Sequence, residues 1–273
     1  MISKAESTRE FALGGWGARG DPESSMSENA FLVAMQKITA GQATIGDVID
    51  AAARLTQAGL TGEAIQVYQV WAKLNAEHPQ VQVAYFNCAV IQSDTGDLAG
   101  ACASLQTSIS IAPDFAPSYI NLGGVLERGG QPEQGIEVWR SLVHRPGPIT
   151  GKAVHFVITA LKQIGRVSSD INRPDLAEAA LRAALEIIPD QRDVLEQYFA
   201  MRLGQLEWPV VAPWENVERA TIMGNINPLS VSCYTDDPLF QLANAARFVE
   251  KAVAEVDGGE HDRRDAPMDL SDR

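Results

Sequence analysis

Between Val81 and Gly147 one pattern of apolar, small and polar positions is written twice. The first copy reads YFNCAVIQSDTGDLAGACASLQTSISIAP and the second YINLGGVLERGGQPEQGIEVWRSLVHRPG. Tyr85 and Tyr119 stand 34 residues apart, as do Asn87 and Asn121, Ala89 and Gly123, Ala101 and Gly135, and Leu105 and Trp139. The pattern predicts two antiparallel helices per copy. Ala89, Ala101, Gly123 and Gly135 are small enough to let the two backbones approach, and the aromatic and Leu positions fill the remaining grooves. Pro113 ends the second helix of its copy, because proline lacks an N–H and disfavours helical geometry in the residue before it.

A 34-residue period with aromatic, small, small, large and proline landmarks is that of the tetratricopeptide repeat. The expected fold is all-α: a tetratricopeptide-repeat superhelix of about four helix pairs, two of them clear, followed by a helical linker region. A degenerate pair precedes the clear ones. Val48, Ala51, Ala52 and Leu55 occupy its first helix, Gly59 closes that helix, and Ala64, Tyr68 and Trp71 occupy the second. A fourth pair starts near Lys152 and returns at Ala177, Leu181, Ala184 and Pro189. Ala177 lies 42 residues beyond Gly135, and the excess is assigned to a long turn, RVSSDINRPD, in which Asp170 and Asp175 are expected to cap helices.

The flanks complete the organisation. Residues 1–27 read as a flexible leader, 28–190 as the repeat array, 191–256 as a helical cap or linker, and 257–273 as a polar tail or linker. A short amphipathic helix is expected over Asn29–Ala40 and a further helix over Arg192–Glu207, stopped by WPVVAPW. A short helix over Asn216–Gly224 and a loop, INPLSVSCYTDDP, follow. Asp236 or Asp237 then caps a last helix, Leu239–Val253, with Leu239, Leu242, Ala243, Ala246, Val249 and Val253 on one face.

Charge and chemistry narrow the function classes. The formal charge of −13 disfavours a nucleic-acid partner. No apolar run is long enough to span a bilayer and no apolar segment follows the first basic residues, so neither membrane nor export is expected and the cytoplasm is the default. Cys88 and Cys102 read as small interior residues of a reducing compartment. Gly15, Gly17 and Gly20 match a dinucleotide-binding glycine pattern, but they lack the preceding strand and following helix that such a loop needs. His78, His144, His155 and His261 stand without ligand or triad spacing, and His155 reads as a partly buried helix residue. No catalytic residue, cofactor or metal is expected.

Binding is the remaining class, because stacked helix pairs present their first helices along a concave groove. Asn87 and Asn121 occupy one landmark on successive first helices, and an amide offers both a donor and an acceptor to an extended peptide backbone. Spacing alone leaves open that they face solvent or bond a neighbouring turn. Tyr85 and Tyr119 read as packing residues. The C-terminal third then shows Glu207–Trp208–Pro209, Pro228–Leu229, and Asp236–Asp237–Pro238 with Gln241, Ala245, Ala246 and Arg247. This block resembles the segment joining repeats to catalytic domain in bacterial SPINDLY-type O-linked N-acetylglucosamine transferases. The resemblance implies an acceptor protein or peptide in the groove, gripped by Asn87 and Asn121, and a glycosyltransferase catalytic domain as partner. The catalytic positions of that family have no counterpart here. A standalone protein-binding adaptor is the alternative.

Overall fold

The computed structural model describes residues 22–145, 151–206, 210, 214 and 217–264. The described residues form helices α1 (Pro22–Thr39), α2 (Ile45–Gln57), α3 (Thr61–Leu74), α4 (Val81–Asp94), α5 (Leu98–Ile111), α6 (Ala116–Arg128) and α7 (Pro132–Val143). They continue with α8 (Lys152–Asp170), α9 (Pro174–Ile187), α10 (Arg192–Gly204), α11 (Arg219–Asn225), α12 (Pro228–Val231) and α13 (Pro238–Arg264). Two compact units divide between Ile91 and Gln92, within α4. The first helix begins at Pro22, earlier than the expected Asn29, and the last runs on to Arg264, past the expected Val253.

In the first unit the degenerate pair is a real one. Val48, Ala52 and Leu55 of α2 and Ala64, Tyr68 and Trp71 of α3 are all buried in one core with Ile38, Val81 and Cys88. The α2 N-terminus is closed by a capping box: Thr44 Oγ1 accepts from the Asp47 backbone N–H, and the Asp47 carboxylate accepts from the Thr44 N–H. The Trp71 indole N–H donates to the Ala43 carbonyl at 2.9 Å, tying α3 to the residue before that cap.

In the second unit the small landmarks mark the places where helices touch. A Cβ on Gly135 of α7 would stand 2.7 Å from the Gly123 carbonyl oxygen of α6, and one on Gly123 would overlap the Trp139 indole. One pair later, a Cβ on Gly165 of α8 would meet Leu181 of α9 at 2.7 Å. Gly123 with Trp139 and Gly165 with Leu181 are therefore the same contact displaced by 42 residues. Ser108 and Ser118, both buried, share a hydrogen bond of 2.8 Å between α5 and α6.

The turns explain where the extra length of the fourth pair lies. After α6 the chain reverses at Gly130 (φ 76), with the Gly130 N–H on the Glu127 carbonyl and the Gln131 N–H on that of Leu126. After α8 the same two bonds recur at Asn172 (φ 58), from its N–H to Ser169 and from the Arg173 N–H to Ser168. Both are left-handed helix-ending turns of the same length, with asparagine accepting the conformation that glycine takes more freely. RVSSD is thus helix rather than turn, and the additional residues precede the register of α8. Asp170 ends α8, where it takes Arg166 Nη1 at 3.4 Å, and Asp175 lies in the first turn of α9. Neither caps: the α9 cap position is Arg173, without a side-chain bond, and Pro174 opens the helix.

Beyond α9 the buried positions continue into α10 and the segments after it. Phe199 of α10 is fully buried at the position that glycine holds on α6 and α8, and its ring lies 6.0 Å from that of Tyr234. Val210, Val217, Ile222, Ile226, Val231 and Phe240 join the same core. The stretch expected as loop contains α12, whose Asn227 side chain caps it through the Leu229 N–H. Of the two candidates Asp236 and Asp237, it is Asp237 that caps α13, accepting from the N–H groups of Leu239 and Phe240. The expected apolar row of α13 faces away from the core: Phe240 and Asn244 point inward, while Leu239, Leu242, Ala246, Val249 and Val253 are exposed and Ala243 is half-buried.

Candidate functional site on the first helices

Asn87 lies on α4 in the first unit and Asn121 on α6 in the second. Each is half-buried, and among the described residues neither side-chain amide takes a hydrogen bond. Tyr85 and Tyr119 pack against the cores of their respective units. The Tyr119 hydroxyl also accepts from Arg145 Nη1 at 2.9 Å, and the guanidinium carbon sits 5.5 Å from the ring centre.

The 42-residue register of the second unit carries the Asn121 position to Gln163 on α8. A further 34 residues place Leu161, Ile164 and Gly165 on Leu195, Tyr198 and Phe199, all buried, and carry Gln163 to Gln197 on α10. Three carboxamides, Asn121, Gln163 and Gln197, thus occupy one position on three successive first helices of a single unit. Sequence reasoning stopped at the asparagines. The signal that reaches the glutamines is the same register, obscured by the longer connection before α8 and by the change from Asn to Gln.

Ion pairs hold these first helices side by side. Arg166 of α8 makes a two-pronged pair with Glu127 of α6, at 2.8 and 2.7 Å. Hydrogen bonding to Glu127 raises the guanidinium pKa further above its ordinary value. Lys162 of α8 pairs with Asp193 of α10. The Gln163 side-chain oxygen accepts from Arg166 Nε at 3.1 Å and Nη2 at 2.8 Å, and its amide hydrogens make no bond to a described residue. Because each cation here has its own carboxylate, the face presents hydrogen-bonding groups with little net charge to select a partner by sign.

The remaining sequence candidates have local structural roles. His78 accepts the Gln80 N–H at 3.1 Å and stands edge-on to Trp71, and His144 Nδ1 meets the Arg140 carbonyl at the end of α7. His155 is exposed on α8, a correction to its expected partial burial, since the early turns of this longer helix lie outside the repeat register. Gly15, Gly17, Gly20, Glu207, Trp208 and Pro209 lie outside the described residues. Cys88 is buried, but Cys102 is half-buried and Cys233 exposed. Among the described residues no cluster of three or more His, Cys, Asp or Glu side chains is placed to hold a metal ion, and no helix is long and apolar enough to cross a membrane.

The family profile described as tetratricopeptide repeat matches residues 83–115 and 159–191. The chain carries tetratricopeptide repeats. The profile sets Asn87 in register with Gln163, which agrees with the positions read from the packing. No curated protein matches the chain. Solved structures similar to it include MamA, at 19% identity over 63% of this chain and 95% of that one, TM-score 0.44. YrrB, a tetratricopeptide-repeat protein with a peptide-binding site, is similar at 14% identity over 77% and 95%, TM-score 0.47. PilF of Pseudomonas aeruginosa is similar at 13% identity over 91% and 96%, TM-score 0.45.

Proposed function

We propose that the repeats bind an extended polypeptide and that the carboxamides Asn121, Gln163 and Gln197 grip its backbone, with Asn87 doing the same on its own unit. The observation that supports this reading is the register of the three carboxamides on adjacent first helices, two of them with no bond to a described residue. Bonds to peptide N–H and C=O groups recognise an extended chain whatever its side chains, so the expected partner is chosen by conformation more than by sequence.

The finer reading is an acceptor-binding module that presents a protein to a glycosyltransferase catalytic domain. It draws on the resemblance around Asp236–Asp237–Pro238, Gln241 and Arg247. A standalone adaptor fits as well, and one observation favours it. Asp237 caps α13, and Gln241 Nε2 donates back to the Thr235 carbonyl at 2.9 Å, so these residues have local work that needs no transferase.

The test is to select binders from a displayed random-peptide library on the full chain and to measure affinities by fluorescence anisotropy. The Asn121→Ala/Gln163→Ala/Gln197→Ala variant is expected to bind every selected peptide at least about tenfold more weakly, roughly half a kcal/mol per lost bond. Undiminished binding by a variant with a native melting profile would sink the backbone-grip reading. For the finer reading, adding the chain to a catalytic domain of that transferase type should stimulate sugar transfer to the selected peptides; no stimulation leaves the adaptor.

A further inference from the structure

The buried and exposed faces of α13 oppose one another. Phe240 and Asn244 are 6% and 0% exposed, and the Asn244 amide donates to the Ile226 carbonyl at 2.9 Å. On the other side Leu239, Leu242, Val249 and Val253 are 75%, 68%, 57% and 53% exposed, with Ala246 between them. Their spacing alternates three and four residues over two heptads, which is the seam of a helix that packs on another helix at a shallow crossing angle. A helix held only by its own unit has no use for a second apolar stripe, and isolated exposed leucines are not spaced in this way.

We infer that this stripe is the interface of an antiparallel homodimer in which α13 of one copy packs along α13 of the other. The occupant is a second copy because the stripe is self-complementary. With a two-fold axis between Ala246 and Val249, each Ala246 faces Val249 of the other copy and each Leu242 faces Val253 of the other copy, so every layer is apolar. The flanks agree. Ala243, Ala245 and Ala252 border the seam and let the backbones approach, and Glu250 falls opposite Ala243 rather than opposite another acid. Between Leu242 and Val253 no like charges are brought together at the seam of a chain whose net charge is −13. The inference is independent of peptide binding, which uses α6, α8 and α10.

Sedimentation equilibrium of the full chain over a wide concentration range tests it. A monomer–dimer equilibrium is expected, shifting toward dimer as salt is raised, because screening weakens the repulsion between two acidic copies while apolar contact is retained. Leu242→Glu alone and Val253→Lys alone are each expected to shift the protein to monomer with an unchanged helical circular-dichroism spectrum. Both residues are exposed in the single chain, so folding is not at stake. Mixing the two variants is expected to restore dimer, since residue 242 of one copy then meets residue 253 of the other as an ion pair. A wild-type chain that stays monomeric throughout overturns the inference. So does a dimer that ignores Leu242→Glu, and failure of the mixture to reassociate overturns the antiparallel register.

Discussion

Gly123 and Gly124 are neighbours on α6 with opposite surroundings, and replacing each by alanine separates packing from helix propensity. A Cβ on Gly124 meets nothing within 4 Å. Gly124→Ala therefore gains what alanine gains over glycine inside a helix, about 0.5–1 kcal/mol. A Cβ on Gly123 collides with the Trp139 indole, whose Cδ1 atom would lie at 2.8 Å. Trp139 is 1% exposed and its N–H is held by the Ile120 carbonyl at 3.1 Å, so the ring cannot swing aside without giving up that bond. Overpacking costs about 1–3 kcal/mol and the hydrogen bond about 1 kcal/mol, against a propensity gain of about 1 kcal/mol. The net expectation for Gly123→Ala is a loss of about 1–3 kcal/mol, or a melting temperature roughly 3–8 °C lower. Circular dichroism melts of the two single variants read the sign directly. Adding Trp139→Leu to Gly123→Ala recreates the residue types of the preceding repeat, Ala89 with Leu105, and should recover most of the loss. Equal upward shifts for Gly123→Ala and Gly124→Ala would refute the close-approach argument, since both would then be reporting propensity alone.

Two pH responses follow from the first unit. Tyr68 is 4% exposed, and burial, with a smaller contribution from Cys88, pushes its hydroxyl up from 10.0 to about 12. A raised folded pKa gives stability that is complete below the unfolded value and is lost as pH rises through the folded one. Unfolding should thus become easier between pH 10 and about 12, by up to roughly 3 kcal/mol, and Tyr68→Phe should flatten that slope in urea titrations. Asp47 moves the other way: hydrogen bonds from the Thr44 side chain and backbone, more than the charge of Lys37, hold its carboxyl below 3.8. Its contribution is present above that value and lost as pH falls through the lower folded one. Thr44→Ala is expected to cost about 1 kcal/mol at neutral pH and to weaken this acid response, since the backbone N–H at 44 and Lys37 still act on Asp47; an unchanged response would show that the Thr44 hydroxyl is not its main source.

What was legible in the sequence was set by neighbours in the chain. The 34-residue spacing, the small residues at Gly123 and Gly135, the stop at Pro113 and the cap at Asp237 all depend on local geometry, and each was found where the letters placed it. Asn87 and Asn121 were legible as a repeated landmark, but the wider row was not. Gln163 and Gln197 belong to it only because the α8–α9 packing, Gly165 against Leu181, fixes a register that the longer connection conceals. Likewise the length of RVSSDINRPD could not be divided between helix and turn until Asn172 was seen to take the left-handed position that Gly130 takes after α6.

The face of α13 marks the boundary most sharply. Its letters define two candidate faces, and the apolar one, from Leu239 to Val253, is the natural choice for the core. The tertiary structure chose the other. α11 and α12 reach α13 on the side of Phe240 and Asn244, where Asn244 satisfies the Ile226 carbonyl left free at the end of α11. Periodicity states that a helix has an apolar face. Which surface covers that face depends on contacts between segments far apart in the chain, and those exist only once the chain has folded.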